Sequence, residues 1–207
     1  MSISVYLAVK GEEFVNYPQN LLVQIGFGFH ADGTVRVPKR PKGIALIDDI
    51  HLPNVSISAI QILKSKFQTC IFDFERTPDP IHKKLIQGMS GKKIIALPAR
   101  FHPLVSQVLP IVSCLEPCNS WAQFAEQNQK LYPRGWMLEI TPWYHEKIGT
   151  IQKDEGFLPN ALCNFRKKKD KVIYFDTKET LTEKLKVAEK YGCKAAIALY
   201  CEVKRLK

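Results

Sequence analysis

The sequence lacks the long apolar runs that would place its 207 residues in a membrane. No stretch approaches the ~18 uninterrupted apolar residues that a spanning helix needs, so no membrane partner is expected. Residues 1–14 carry no basic stretch ahead of their short apolar run, which is not typical of a secretory signal. We therefore expect a cytoplasmic protein, or an exported protein whose signal is absent from this chain.

The short motifs of several enzyme classes are missing too. No G-x-S-x-G turn or G-x-x-x-x-G-K loop is present, which argues against an α/β-hydrolase and a P-loop protein. Cys114 and Cys118 lie four residues apart, but no second close pair or histidine cluster completes a zinc pattern, and reduced structural cysteines are expected. Asp48, Asp49 and His51 also lie close together, but three ligands without a partner motif do not predict a metal site. No metal and no cofactor are expected.

Acidic residues are scarcer than basic ones. The chain has 30 Lys and Arg against 20 Asp and Glu, a net charge of +10. The excess is dispersed except at RKKKDK, residues 166–171, and no nucleic-acid-binding module accompanies it. A solvated loop is therefore favoured over a binding patch at this segment, and a nucleic-acid partner is not expected.

Short apolar runs rich in branched residues recur along the chain and are typical of buried β-strands. They occupy residues 4–9, 21–29, 43–47, 69–74, 93–97, 110–115, 135–140, 171–175 and 195–200. Helices are predicted at residues 55–67, 119–132 and 177–192. The alternation predicts an α/β fold with a parallel sheet. About eight strands, at ~25 residues for each βα unit, predict one compact (β/α)8 TIM-type barrel over residues 1–207, with an open doubly wound sheet as the alternative.

Carboxylates recur where the predicted strands end, which is where active sites form in parallel α/β folds. In CIFDFE (70–75), Asp73 and Glu75 share one face of a strand, whereas Phe72 and Phe74 share the other and are expected to face helices. Carboxylates ~6–7 Å apart interact strongly, so one can hold its proton as a general acid while the other stays ionised. Glycoside cleavage uses such a division of roles. Any single acid is also explained by a helix N-terminus, which favours negative charge.

The order of these segments resembles the chitinase-type barrel of glycoside hydrolase family 18. The D-x-E at Asp73 and Glu75 is similar to the end of the family's fourth-strand motif, D-G-x-D-x-D-x-E. IIALPAR (94–100) resembles the family's fifth strand, and IGFGFHADGTV (25–35) resembles an upstream segment. The C-terminal stretch 172–200 is similar to the family's final strand, helix and strand.

The resemblance implies a glycan substrate that carries an N-acetyl group. Its carbonyl oxygen attacks the anomeric carbon while Glu75 protonates the leaving oxygen and Asp73 orients the amide. Arg100 is expected to pair with Glu75, to bind an anionic group of the substrate, or to form a structural ion pair. Substrate contacts are predicted from residues near strand ends, namely Phe29, Asp48, Arg100, Glu116, Glu139, Tyr144 and Tyr200.

The chain departs from the family pattern at several positions. Ile71 replaces the middle aspartate of the fourth-strand motif. In the sixth-strand segment SCLEP (113–117), Glu116 is expected to replace the family's aspartate, but the family's tyrosine is absent, and Tyr144 is expected to supply a phenol instead. Tyr200 occupies the position of a pocket-floor tryptophan. Two functions remain open, a divergent glycoside hydrolase and a catalytically inactive carbohydrate-binding or interaction barrel.

Overall fold

The structure is a computed structural model that describes residues 3–10, 13, 15–52, 55–115, 118–141, 143–148, 160–168 and 171–204. The side chains of residues 143–148, 168 and 171 are not described. The chain divides into two compact units: unit 1 comprises Met1–Val5 and Val112–Lys207, and unit 2 comprises Tyr6–Ile111. The single domain over residues 1–207 stays a prediction.

The described residues contain short strands and helices that alternate along the chain. The strands are β1 (Ser4–Val9), β2 (Leu22–Phe29), β3 (Val35–Arg36), β4 (Ile44–Asp48), β5 (Thr69–Asp73), β6 (Lys93–Ile94), β7 (Ala96–Pro98), β8 (Leu109–Ser113), β9 (Trp136–Ile140), β10 (Trp143–Ile148), β11 (Asn164–Lys168), β12 (Lys171–Phe175) and β13 (Cys193–Leu199). The α-helices are α1 (Ile57–Lys64), α2 (Pro80–Gly88), α3 (Trp121–Leu131), α4 (Lys178–Lys190) and α5 (Tyr200–Val203). None of the helices in the described ranges is long and apolar enough to cross a bilayer.

Unit 2 is built on a parallel sheet in the order β1-β2-β4-β5-β6/β7-β8, in which β1 from Tyr6 onward and β8 as far as Ile111 belong to the unit. β6 and β7 act as one strand interrupted at Ile95, whose N–H donates to the Cys70 carbonyl at 2.9 Å. The Ile95 carbonyl in turn accepts from the N–H of Leu109 at 3.2 Å. The short strand β3 pairs with β2 in the antiparallel direction.

The two faces of β5 have different surroundings, as the sequence predicts. Phe72 and Phe74 lie in the apolar core that contains Ile60 and Leu63 of α1 and Leu85 of α2. These two phenylalanines therefore face the helices, and Asp73 lies on the opposite face because successive strand residues alternate. Burial of the phenylalanine rings fixes which face of β5 carries the acid.

Helices of unit 2 begin at side-chain caps. The Ser56 hydroxyl accepts a hydrogen bond from the N–H of Ala59 at 3.1 Å and starts α1, inside the predicted segment 55–67. α2 was not predicted, although Asp79 and the proline at its first position are typical start signals.

Unit 1 contains the parallel pair β9 and β13, in which Ala196 is the register partner of Leu138. α3 and α4 begin after the cap residues Ser120 and Thr177, inside the predicted segments 119–132 and 177–192. The indole N–H of Trp121 on α3 donates to the backbone carbonyl of Lys184 on α4 at 2.9 Å, which fixes the packing of the two helices.

One predicted strand lies in a different sheet from the one expected. Residues 171–175 form β12, which pairs in the antiparallel direction with β10 and β11 in a separate three-stranded sheet of unit 1. The prediction of a barrel strand here was wrong, because the apolar pattern of a short strand does not specify its pairing partners. Those partners, WYHEKI and NFRKK, are polar and show no apolar run.

Candidate functional site

The predicted acid pair lies at the carboxyl end of β5 in unit 2. Asp73 is the last residue of the strand, Glu75 lies two residues beyond it, and both side chains are exposed. Asp48 ends the neighbouring parallel strand β4 and is the register partner of Asp73. Register partners on neighbouring strands project from the same face of a sheet, so Asp48 and Asp73 lie together at the carboxyl edge of the sheet.

The backbone at Glu75 is held from one side by a buried carboxylate. Asp49 is 1% exposed and accepts hydrogen bonds from the N–H groups of Glu75 at 3.0 Å and Arg76 at 2.9 Å. Both oxygens of the carboxylate are used, one for each N–H. Bonds from two successive amides to one ionised group fix the orientation of the peptide that joins them.

The same segment is held from the other side by Arg100. Its guanidinium donates to the carbonyl oxygens of Phe74 and, at 3.1 Å from Nε, of Arg76. We call this arrangement the Glu75 clamp: the Asp49 carboxylate and the Arg100 guanidinium on the backbone of residues 74–76. This contact with backbone carbonyls differs from each of the roles predicted for Arg100, which were a pair with Glu75, an anionic substrate group and a structural ion pair.

A buried histidine, His82, contacts the Asp49 carboxylate of the clamp. His82 is fully buried on α2, with Nε2 3.0 Å from an Asp49 oxygen and Nδ1 2.7 Å from an Asp79 oxygen. Its ring also packs edge-on against Phe74, with centroids 5.0 Å apart. Sequence reasoning missed this support, and its signal was the helix-start pattern D-P-I-H that begins at Asp79.

Asp79 carries a charge that the fold stabilises. Partial burial opposes ionisation, but hydrogen bonds from the backbone and side chain of His82 and from the N–H of Ile81 outweigh it, so the pKa of Asp79 is lowered. The Asp79 side chain accepts from both of these N–H groups and therefore caps α2.

Asp48, predicted to contact substrate, forms an ion pair with Arg36 of β3. Gly28 on β2 makes room for this pair, because a Cβ at that position would lie 3.0 Å from an Asp48 oxygen and 2.9 Å from an Arg36 nitrogen.

Phe29, also predicted to contact substrate, is 1% exposed and lies in the apolar core of unit 2. Its ring has no exposed face on which a sugar could stack.

The remaining predicted contacts lie in unit 1 or outside the described residues. Glu139 on β9 accepts a hydrogen bond from the Ser113 hydroxyl. Tyr200 begins α5, is half-buried, and has the Lys204 ammonium 5.1 Å from its ring centroid. Tyr144 lies on β10, where side chains are not described, and Glu116 lies outside the described residues.

Unit 1 also contains an acid whose protonation the fold shifts. Burial, and then the negative charge of Glu139, raise the pKa of Glu202 on α5. The two carboxylates are therefore electrostatic neighbours within unit 1, which sequence position alone did not show.

Of the three residues considered as metal ligands in the sequence, two have other partners in the structure. Asp48 pairs with Arg36, Asp49 holds the Glu75 clamp, and His51 is exposed. Within the described ranges, no three or more His, Cys, Asp or Glu side chains are grouped so as to hold a metal ion.

Comparison with known proteins shows the fold. No family model matches the chain, and no curated protein matches its sequence. The structure is similar to the spore cortex-lytic enzyme SleL of Bacillus cereus, with a TM-score of 0.59 and 10% identity over 95% of this chain and 70% of that one. It is also similar to SleL of Bacillus megaterium QM B1551, with a TM-score of 0.55 and 11% identity over 96% and 70%. At this identity the likeness shows the fold alone, and the predicted α/β TIM-type barrel is confirmed.

Proposed function

We propose that this protein is a glycoside hydrolase that cleaves N-acetylhexosamine-containing glycans, with Glu75 as the general acid. One observation carries the proposal: an exposed glutamate follows a parallel strand of a TIM-type barrel, and the Glu75 clamp fixes its backbone. Catalytic carboxylates of this fold class lie at that end of the strands. The similar structures are named as cortex-lytic enzymes, which supports a carbohydrate substrate.

In the proposed reaction, Glu75 donates its proton to the glycosidic oxygen as the bond to the anomeric carbon breaks. The carbonyl oxygen of the substrate's own N-acetyl group attacks that carbon from the opposite face, which avoids an enzyme nucleophile. Asp73 orients the amide and stabilises the positive charge that develops on it. The clamp contributes by holding the acid at a fixed distance from the bond, since small displacements of a catalytic group are costly in rate.

A second candidate is a glycan-binding barrel without turnover. Ile71 is fully buried on β5, at the position where the family 18 motif has an aspartate beside the Asp73 equivalent. An isoleucine supplies neither charge nor hydrogen bond to Asp73, so the electrostatic support of the acid pair differs from the family pattern. This observation is the reason to measure binding and turnover separately.

The test is the change Glu75→Gln, assayed on a fluorogenic N-acetylglucosaminide oligomer. Because glutamine cannot donate the proton, we expect kcat to fall ~10²–10⁴-fold with KM unchanged. The side chain is exposed, so the thermal unfolding midpoint should not move. Glu183→Gln is the matched control, since Glu183 is exposed on α4 and its loss should leave kcat unchanged.

Calorimetric titration with the unlabelled oligosaccharide separates the two candidates. Equal kcat in the wild-type protein and Glu75→Gln would rule out the proposed acid. Saturable binding of the oligosaccharide without turnover by the wild-type protein would favour the second candidate instead.

A further inference from the structure

Unit 2 contains a pocket that is lined by Gln24 of β2 and by residues of the segment 37–42. We call it the Gln24 pocket. Gln24 is the register partner of Ala45 on β4, and Ala45 is the register partner of Cys70 on β5. Register partners project from the same face of a sheet, so Gln24 lies on the face where Cys70 packs into the core beneath the helices. Asp73 projects from the opposite face, so the Gln24 pocket is separate from the proposed hydrolase site.

The pocket lies where the chain has a loop between two parallel strands instead of a helix. α1 follows β4 and α2 follows β5, whereas the connection from β2 to β4, residues 30–43, is described throughout and contains the short strand β3 and no helix. The segment 37–42, VPKRPK, covers β2 here and leaves a pocket of about 750 Å³. That volume is in the range of sites for small organic molecules and is much larger than a single ion needs.

The covering segment is fixed to β2 by a buried amide. Gln24 is 4% exposed, and its amide oxygen accepts from the backbone N–H of Lys42 at 2.7 Å. Its amide nitrogen donates to the backbone carbonyl of Arg40 at 3.2 Å. Gly43 follows with a φ of +64°, and a Cβ there would overlap a backbone carbonyl of β2. Two prolines within the segment restrict its backbone further, so its basic residues are positioned before any ligand binds.

The Gln24 pocket has an excess of positive charge. It is lined by four cationic residues and one acid, namely Lys10, Lys39, Arg40, Lys42 and Glu13. Within the described ranges, none of the four cations forms a side-chain ion pair. The Glu13 carboxylate accepts a hydrogen bond from the backbone N–H of Lys10 at 3.1 Å. Like charges held close together repel, and a bound anion removes that repulsion.

The uncharged walls of the pocket are mostly apolar. Val9 and Leu22 lie beside Gln24 on β1 and β2, and Val37 and Pro38 lie on the covering segment. All four cationic residues are exposed, so their charged groups remain accessible from solvent. The arrangement suits a molecule with anionic groups at the entrance and an uncharged part against the apolar walls.

We propose that the Gln24 pocket binds a small organic anion that carries two or more phosphate or carboxylate groups. The anionic oxygens accept charge-assisted hydrogen bonds from the lysine ammonium groups and from the Arg40 guanidinium. More than one negative charge is needed, because a monovalent anion would leave most of the positive charge of the pocket uncompensated. The site does not involve Glu75, so this proposal does not depend on the proposed hydrolase activity.

The experiment titrates the full chain with inorganic pyrophosphate and, separately, with citrate in a calorimeter at low ionic strength. We expect saturable binding of one anion per chain, with an affinity that falls as sodium chloride is added. Tighter binding of pyrophosphate would assign a phosphate ligand, and tighter binding of citrate would assign a carboxylate ligand. Acetate, which has one charge, should bind more weakly than either.

Two double variants with the same net charge locate the site. Lys39→Gln with Arg40→Gln removes two charges from the pocket, and we expect the affinity for the tighter anion to fall about tenfold. Lys83→Gln with Lys84→Gln removes two exposed charges from α2, outside the pocket, and should leave the affinity unchanged. The comparison separates a defined site from general attraction to a basic protein.

Gln24→Leu tests the positioning role of the buried amide. The variant keeps all four cationic residues but loses both hydrogen bonds to the segment 37–42. We expect weaker binding of the anion with the same slope of affinity against salt, because the number of charges is unchanged.

Two results would overturn the proposal. One is the absence of saturable binding of either anion to the unchanged protein at low ionic strength. The other is an equal loss of affinity in the two double variants, which would show that only the net charge of the chain attracts the anion. If Gln24→Leu fails to fold, the two double variants still decide the question, because they change exposed side chains only.

Discussion

The Asp49 carboxylate holds the backbone at Glu75 in place, although Asp49 is not one of the two predicted catalytic acids. It accepts from the backbone amides of Glu75 and Arg76 and contacts His82, and both Asp49 and His82 are buried in unit 2. Buried acceptors that lose their function leave their donors unsatisfied, and that is more costly than the loss of the bond itself. The position of Glu75 therefore depends on a residue that does not touch the proposed reaction.

The change Asp49→Asn tests this dependence with nearly unchanged side-chain volume. An asparagine has one acceptor oxygen, so one of the two amides at Glu75 and Arg76 loses its partner. We expect the free energy of unfolding, measured in urea, to fall by ~1–3 kcal/mol. We also expect a lower kcat for glycan cleavage, because the peptide that carries the acid is less constrained.

Glu126→Gln is the control for Asp49→Asn, because Glu126 lies at the surface of α3 in an ion pair with Lys130. Surface pairs of this kind contribute little, so both quantities should stay close to those of the unchanged protein. A destabilised Asp49→Asn protein with full kcat would contradict the positioning role and leave Asp49 a purely structural residue.

At the scale of elements, α2 connects its own N-terminal cap, Asp79, to the Glu75 clamp. Asp79 caps the helix and contacts His82, and His82 contacts Asp49 beneath the Glu75 clamp. A loss at the cap is thus expected to reach the segment that carries the acid. The element was absent from the predicted helices, although Asp79 and the proline after it form a helix-start pattern.

The charge of Asp79 makes the stability of this element depend on pH. Its pKa is lowered in the folded chain, so the ionised form stabilises the fold above the ordinary value of 3.8, and this contribution is lost as the pH falls through the lowered pKa. We expect Asp79→Asn, which keeps a capping oxygen but no charge, to be less stable than the unchanged protein at neutral pH. Urea unfolding across the acid range should show the two curves converge.

Asp79→Ala separates the cap from the charge. Removal of the capping oxygen costs about 1 kcal/mol in proteins, and this part should persist at acid pH where the charge has gone. Parallel curves for Asp79→Asn and the unchanged protein over the whole range would show that the carboxylate contributes no charge-dependent stability.

The sequence determines the positions of most strands locally, but not their pairing partners. The short apolar runs located most strands within one or two residues, because runs of this length, bounded by polar or turn residues, are typical of buried strands. Alternation along one strand placed Phe72 and Phe74 toward the helices and Asp73 opposite them, which is a local property of β5. It did not reveal the pairing of β12, which depends on residues distant in sequence.

At the scale of the whole molecule, local sequence located the predicted acids, but it did not reveal the distant residues that hold their backbone in place. The D-x-E at the end of a strand is a local pattern, and it was found. The Asp49–His82 contact joins residues 33 positions apart, and the Arg100–Phe74 contact joins residues 26 apart. No periodicity encodes such contacts, so the clamp was visible only in the folded chain.

The chain has a net charge of +10, and the fold brings some of its basic residues together. Four cationic residues, Lys10, Lys39, Arg40 and Lys42, and one acid, Glu13, line one pocket of about 750 Å³ in unit 2. A cleft with an excess of one sign of charge raises the local concentration of oppositely charged ligands, and added salt screens the effect. For the proposed hydrolase, we therefore expect a glycan with anionic groups to be preferred over a neutral one of the same length.

This preference predicts a difference in salt dependence between two substrates of the proposed hydrolase. For an N-acetylhexosamine oligomer that carries carboxylates, kcat/KM should fall as ionic strength rises, because screening removes the attraction that speeds encounter. For the neutral oligomer of equal length, kcat/KM should stay constant, since no net charge is attracted. Replacing Lys39 and Arg40 together by glutamine should flatten the first curve and leave the second unchanged. Equal slopes for the two substrates would show that the positive charge of this chain has no part in choosing the glycan.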